Sequence, residues 1–404
     1  MKLKIDKFGP IENAILDIRD LNIFIGESGT GKSIIAKLIY ISNTFFRFLN
    51  TKEYDQNLAI PILQANLQKA FMHSYFNIFK DSYTDFNLTY FYDDEKYIIF
   101  SHDTKKEFEV EFSTKLNKEI EFFYINYKSR FELLEEKLQE DEMTLNIYGL
   151  ILKQEIKKIF AKENYVYIPA GRSFFTMMSN NLFSIIEGGV DIDQILAQFG
   201  TLFDKNKKEY GKYNQTFSDI ESSFIKKQYR DLLKGSYYFI NDEDRFYISK
   251  NQYLSLNQIS SGQQELLPAL VILWAILKSK TPTTIIFEEP EAHLFPKDQQ
   301  RLLELLVYIF NQNKIKNRLL ITTHSPYILS VLNNLIYAGK LQSNSVDENL
   351  YLDFDNISAY ALSKNKAKSI LNQENHLIDA NYIDDVSNDI AIVFDKLLDE
   401  EYGE

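Results

Sequence analysis

The spacing of hydrophobic residues changes period several times along the chain. Leu3 and Ile5 alternate with polar neighbours, and Leu21, Ile23, Phe24 and Ile25 form a short apolar run, so both stretches predict strands. Ile34, Ile35, Leu38, Ile39, Phe45 and Phe46 then share one helical stripe. The first 48 residues therefore read strand, turn, strand, loop, helix, with Phe8-Gly9-Pro10 as the turn. Strand-like stretches recur over 95–121, such as Tyr97-Ile98-Ile99-Phe100, and again at Tyr165-Val166-Tyr167-Ile168, which Pro169 stops. The stretch 131–160 is charged and helical, 182–203 alternates helix with glycine turns, and the polar run 205–212 predicts a loop. Beyond 250 the order is helix (266–278), strand (283–287), helix (299–310), strand (319–322), helix (327–335). Strands alternating with helices predict an α/β fold whose parallel sheet is covered on both faces. The expected division is one α/β domain from 1–48 and 240–404, split by an inserted β-rich and helical lobe over 49–239.

Composition adds mainly exclusions. With 404 residues, 45% hydrophobic and 25% charged, the chain has the make-up of a globular protein. It has no cysteine, which excludes disulfides, cysteine zinc sites, iron–sulfur clusters and a thiol nucleophile, and fits a reducing cytoplasm. A net charge of −12 argues against a bulk nucleic-acid coat, although the lysine runs at 153–162 and 205–212 offer local basic surface or a solvated face. The longest apolar run, 266–277, falls short of the roughly 20 residues a membrane span needs, and the N-terminus lacks the apolar core of a signal peptide.

Three segments carry chemistry. Gly26-Glu27-Ser28-Gly29-Thr30-Gly31-Lys32-Ser33 follows a predicted buried strand and opens a predicted helix. Its glycines let backbone N–H groups converge on phosphate, Lys32 reaches the β- and γ-phosphates of ATP, and Ser33 can ligate Mg²⁺. Thr284-Ile285-Ile286-Phe287-Glu288-Glu289 is an apolar strand ending in two acids. At the carboxyl end of a strand in an open sheet, acids face the ligand crevice. One can hold Mg²⁺ through water and the next can orient the attacking water; the alternative is a helix start at Glu-Glu-Pro-Glu. Thr322-Thr323-His324-Ser325-Pro326 ends the next strand and delivers His324 to the same edge, for a γ-phosphate or for a structural role. Ile259-Ser260-Ser261-Gly262-Gln263 precedes an apolar helix. It is a second anion site, a helix cap closed by Gln264 or Glu265, or both.

This order of motifs, with Glu-Pro-Glu-Ala-His-Leu-Phe-Pro after Phe287, resembles the ABC-type ATPases of the SMC-like branch. The nearest resemblance is to compact AAA family ATPases related to the ATPase half of overcoming-lysogenisation-defect nucleases. It covers 1 to about 50 and about 160 to 400. The resemblance implies an ABC-type P-loop NTPase fold with an α+β insert between the Walker A loop (Gly26 to Ser33) and the signature (Ser260, Ser261, Gly262, Gln263). It implies a Walker B acid at Glu288, a catalytic glutamate at Glu289 and a switch histidine at His324. Tyr167-Ile168-Pro169-Ala170-Gly171-Arg172 resembles the family's Pro-Ala-x-Arg segment, making Arg172 a candidate for the nucleotide interface or a surface salt bridge. Glu288 stands where Asp is commoner, and Ser-Ser-Gly replaces Ser-Gly-Gly; both changes could slow turnover. The insert is too short for the family's long coiled coil. The 80 residues after His324 leave no room for a Toprim nuclease domain, so Asp353-Phe354-Asp355 reads as an exposed strand end and Asp384-Asp385 as a helix start.

The resemblance further implies an ATP-driven homodimer, with each signature completing the partner's site, and a separate effector, a nuclease or toxin, in anti-phage defence. A DNA-repair or DNA-end-binding ATPase and a non-catalytic ATP-gated scaffold are the alternatives.

Overall fold

The computed structural model describes residues 1–44, 59–71, 85–103, 106–122, 163–177, 193–213, 223–279, 281–312, 316–379 and 392. The expected helical stretch 131–160, the lysines of 153–162 and Asp384-Asp385 lie outside the described residues.

An eleven-stranded sheet organises the molecule, in the order β6-β5-β4-β1-β2-β14-β13-β3-β12-β11-β7. Its first half is β1 (Lys2–Phe8), β2 (Ile11–Asp17), β4 (Phe86–Phe91), β5 (Tyr97–Asp103) and β6 (Lys106–Phe112), paired antiparallel. Its second half is parallel: β3 (Leu21–Gly26), β7 (Asn164–Ile168), β11 (Thr283–Glu288), β12 (Arg318–Thr323) and β13 (Ile357–Ser363). The hairpin partner β14 (Asn365–Ser369) joins the two halves by pairing with both β13 and β2. Described strands from within 49–239 are part of this sheet. Strands β4–β6 extend one end of it, and β7 forms the other edge beside β11.

The parallel strands are buried on both faces, and side-chain alternation assigns each residue to a face. Ile23, Ile285, Phe287 and Ile321 join one core cluster, while Phe24, Ile286 and Leu320 join the other. Helices α1 (Lys32–Thr44) and α2 (Ala59–Phe71) cover the second face. The first face carries α3 (Gln194–Tyr213), α4 (Ser223–Leu233), α5 (Ser261–Ser279), α6 (Pro296–Phe310) and α7 (Pro326–Leu341). A small antiparallel sheet of β8 (Ser236–Ile240), β9 (Glu243–Ser249) and β10 (Gln252–Leu254) leads into α5. Strands β15 (Leu371–Asn372) and β16 (Leu377–Ile378) form a separate pair near α7. Among the described residues no helix is long and apolar enough to cross a membrane.

Two expectations need correction. The run 205–212 is not a loop but the last part of α3. Ile195, Phe199, Phe203 and Tyr210 are all buried, so the helical stripe runs straight through the polar stretch. Lys207 is buried there, paired with Asp244 at 3.3 Å and Asp204 at 3.1 Å, and lies over Phe203 and Phe239. Second, Asp353-Phe354-Asp355 is not a strand end. Asp353 caps the 3₁₀ turn Phe354–Asn356 by accepting from the Asp355 N–H at 3.1 Å.

Asp244 also accepts from the Tyr237 hydroxyl at 2.6 Å. Removing one member of a buried charge pair leaves the other uncompensated. Asp244→Ala should therefore cost about 3–5 kcal/mol in urea unfolding; a cost below about 1 kcal/mol would mean that the pair is effectively solvated.

Candidate functional site

The carboxyl edge of the parallel strands gathers the candidate residues. Register does this: Ile25 pairs with Thr323, and Thr322 pairs with Glu288. The loop after β3, the turn after β11 and the turn after β12 therefore emerge side by side.

The loop from Gly26 to Ser33 wraps the N-terminus of α1. Gly26 has φ +156°, and a Cβ there would lie 2.1 Å from the Leu362 carbonyl oxygen of β13. No flexible side chain could yield at that contact, so only glycine fits. Glu27, Ser28 and Gly29 face solvent, as does Ser33 in the first helical turn. The Thr30 hydroxyl donates to the Glu27 carbonyl at 2.8 Å. Lys32 is 5% exposed, and its ammonium donates to the Gly26 and Glu27 carbonyls, each at 2.8 Å. Burial lowers the Lys32 pKa, and Glu289, Glu291 and Glu288 oppose that shift.

His324 stands between Lys32 and Glu289. Lys32 Nζ lies 3.4 Å from Nδ1, and Nε2 lies 3.1 Å from Glu289 Oε1. With the ring proton on Nε2, lysine donates to the ring and the ring donates to the carboxylate. Glu289 has φ +44°, a left-handed conformation that costs a non-glycine residue about 1–3 kcal/mol. Its N–H donates to the Thr322 carbonyl at 2.8 Å, which continues the sheet one residue past β11.

Glu288 is 4% exposed. Its Oε2 accepts from the Ala170 N–H at 3.2 Å, while Oε1 is buried without a partner. Glu291 is the second acid of the Glu-Pro-Glu segment, and its sequence context alone assigns it no role. Its Oε1 accepts from the Thr323 hydroxyl at 2.7 Å and the His324 N–H at 2.6 Å, and its Oε2 is also buried without a partner.

Arg172 overturns both of its expected roles. It is neither at a nucleotide surface nor in a surface salt bridge, being 1% exposed. Its guanidinium donates to the carbonyls of Pro169, Glu288, Glu289 and Glu265 at 2.8–3.2 Å, and lies 4.9 Å from the Phe287 ring centroid. The buried Glu265 carboxylate on α5 accepts from the Arg172 and Ser173 N–H groups and pairs with Nε at 3.2 Å. Burial lowers the Arg172 pKa, opposed first by Glu265. The sequence signal available was Glu265, an acid inside an otherwise apolar helix run.

The segment from Ser260 to Gln263 caps α5. Ser260 Oγ accepts from the Gln263 N–H at 3.3 Å, and Gln263 Oε1 accepts from the Ser260 N–H at 3.1 Å. The box is thus closed by Gln263, not by Gln264 or Glu265, which are buried on other partners. Ser260 and Ser261 remain exposed. Gly262 packs against the turn after Glu289: a Cβ there would lie 2.9 Å from the His293 carbonyl oxygen. Among the described residues no hydrogen bond or ion pair joins Ser260, Ser261, Gly262 or Gln263 to the phosphate loop.

A glycine loop leading from the parallel strand β3 into α1, with acids and a histidine ending the neighbouring parallel strands, is an α/β arrangement of the P-loop kind. The chain belongs to the family described as "AAA domain, putative AbiEii toxin, Type IV TA system", whose match spans residues 21–330. No curated protein matches it. Among solved structures it is similar to an SMC head bound to the C-winged helix domain of ScpA, at 14% identity and TM-score 0.42, over 93% of this chain and 98% of that one. It is similar to the SMC head domain from Thermotoga maritima at 12% identity and TM-score 0.38, over 91% and 97%. The recombination mediator RecF is similar at 8% identity and TM-score 0.36, over 91% and 97%.

The Arg172 brace generates a direct expectation. Arg172→Ala strips four carbonyls of a donor and a buried carboxylate of its paired charge, and should cost about 3–5 kcal/mol in denaturant unfolding. Arg172→Lys should recover little, because an ammonium cannot span the same planar fork of acceptors. Full recovery by lysine would show that only the charge matters.

Proposed function

We propose that this chain binds and hydrolyses ATP at the carboxyl edge of its sheet and closes as a homodimer around it. In this reading it serves as sensor, scaffold or motor for a separate nuclease or toxin effector in anti-phage defence. The observation that carries the ATPase reading is the contact series from Lys32 through His324 to Glu289, which joins the phosphate loop to a carboxylate on a neighbouring strand.

Each role follows from position. The loop N–H groups and the positive end of α1 accept the phosphates. Lys32 exchanges its loop carbonyls for β- and γ-phosphate oxygens, since its four-carbon stem is flexible. Glu289 orients the attacking water and accepts its proton; its backbone turn aims the carboxylate toward the loop rather than along the strand. His324 donates from the ring toward the γ-phosphate or the water.

The residues present fit Mg²⁺. Glu288 Oε1 is a buried carboxylate oxygen without a partner, and Ser33 is exposed at the first turn of α1. Among the described residues no three acidic or histidine groups form a metal cage by themselves. Ser33 and Glu288 would hold the ion together with phosphate oxygens, and the ion would supply positive charge that offsets the phosphates. The charge balance supports this. Glu288, Glu289 and Glu291 face one lysine, and the Arg172 charge is already matched by Glu265. A polyphosphate placed against that surplus of negative charge needs a cation with it.

The effector part of the proposal is supported by the family's description, which names a toxin and a toxin–antitoxin system. The basic surface open to the DNA-binding alternative is reduced at 205–212, where Lys207 is buried in ion pairs while Lys205, Lys208 and Lys212 are exposed.

Two sets of variants test the reading. Lys32→Ala should weaken ATP binding and abolish turnover while leaving the circular dichroism spectrum intact. Glu289→Gln should bind ATP but turn it over at least roughly 10²-fold more slowly. Tight binding with no turnover in the wild type would instead identify an ATP-gated scaffold. For the dimer, Ser260→Arg should bind ATP as a monomer yet fail to hydrolyse it. Mixing it with Lys32→Ala creates one doubly damaged and one intact composite site, so partial activity should return on mixing. No recovery between freely exchanging subunits would sink the shared-site dimer.

A further inference from the structure

We infer that Glu291 is the positioning residue for His324, fixing where the imidazole stands between Lys32 and Glu289. One oxygen, Oε1, receives both the Thr323 hydroxyl and the His324 N–H, at 2.7 and 2.6 Å. These are short, charge-assisted contacts. The Thr323 hydroxyl has a single proton and gives it to Glu291, while its lone pair accepts the Ser325 N–H at 2.9 Å. The carboxylate thus orders three consecutive residues of the turn after β12, and His324 is the middle one. Glu291 rides on the same turn as Glu289, where the Ala292 N–H donates to the Glu289 carbonyl at 3.1 Å. One turn therefore grips His324 twice: Glu291 holds its backbone and Glu289 meets its ring.

Without Glu291, the His324 N–H and the Thr323 hydroxyl would lose their acceptor. The turn would settle elsewhere, and a displacement of about 1 Å in a reacting group is enough to cost on the order of 10²-fold in rate. The role requires an acceptor oxygen of the right reach, not a negative charge. That separates it from an electrostatic effect on Lys32, which Glu291 also faces.

Two variants and two measurements decide the matter. Glu291→Ala removes the acceptor; Glu291→Gln keeps an oxygen in the same place. Steady-state ATP turnover in Glu291→Ala should fall at least about 10-fold in kcat, with KM for ATP within about 3-fold, and Glu291→Gln should recover most of that loss. The imidazole nitrogens of His324 are observable by NMR among only five histidines and are assigned by their absence in His324→Ala. In the wild type the proton should sit on Nε2; in Glu291→Ala the signals should move toward a tautomer average, and in Glu291→Gln they should not. If glutamine loses as much as alanine, Glu291 acts by charge and the inference fails. It also fails if alanine leaves kcat and the His324 signals unchanged. The kinetic arm rests on the ATPase reading, but the NMR arm does not, so absent wild-type turnover would sink that reading alone. Should Glu291→Ala not fold, Glu291→Asp takes its place, since it keeps the charge but draws the acceptor oxygen back by one methylene: unmoved His324 signals there would overturn the inference.

Discussion

Strand register is the constraint on which the site depends. The three turns that carry Lys32, Glu289 and His324 come from segments far apart in sequence, and nothing local brings them together. The pairings of Ile25 with Thr323 and of Thr322 with Glu288 do so. A slip of one residue would reverse the faces of Ile285, Ile286 and Phe287, sending all three core side chains into the opposite layer. Because both faces of these strands are buried, such a slip would expose or overpack large apolar groups on either side. Core packing therefore fixes the edge that carries the candidate residues, and the same packing holds β13, whose Leu362 carbonyl abuts Gly26, against the glycine loop.

The edge is stiffened by a second device, the buried Arg172. A guanidinium removed from water carries a desolvation cost of several kcal/mol that a single ion pair does not reliably offset. Here four carbonyls, the Glu265 carboxylate and the Phe287 ring share the task. Two of those carbonyls belong to Glu288 and Glu289, so the left-handed turn at Glu289 is held from beneath. Glu265 sits one turn inside the helix that begins at Ser261. The brace consequently ties the start of α5 to the turn that carries Glu289.

Periodicity in the sequence disclosed the parallel strands, because fully apolar runs such as Leu319-Leu320-Ile321 leave little other choice. The glycine loop that opens α1 is legible because its glycines and lysine are contiguous. Three features were hidden for definite reasons. The run 205–212 looks polar, yet Lys207 packs its stem and charge inward on Phe203, Phe239 and Asp244, which composition cannot distinguish from a solvated lysine. Arg172 resembles a ligand-facing arginine in one dimension; only the partner Glu265, 93 residues away, makes it internal. Glu291 reads as a motif letter until the neighbouring strand delivers Thr323 and His324 to its oxygen. In each case the missing information was a long-range polar partner, whereas hydrophobic patterning reports only which face of an element is buried.

The two departures from the family's usual residues can be weighed on the same grounds. An acid one methylene longer at position 288 would be poorly placed if it pointed straight out of the strand. Instead, Oε2 of Glu288 folds back onto the Ala170 N–H, leaving Oε1 as the free oxygen. The extra length is taken up by the β7 turn rather than projected into the site. At the signature, the position that tolerates no side chain is Gly262, pressed on the His293 carbonyl, whereas Ser261 is exposed at the first position of α5. A hydroxymethyl at 261 therefore faces solvent, and its hydroxyl is one more donor at a helix N-terminus. Neither change removes a group that the proposed chemistry needs. Both leave the demand for a small residue where it is physically enforced, at the contact between the start of α5 and the turn after Glu289.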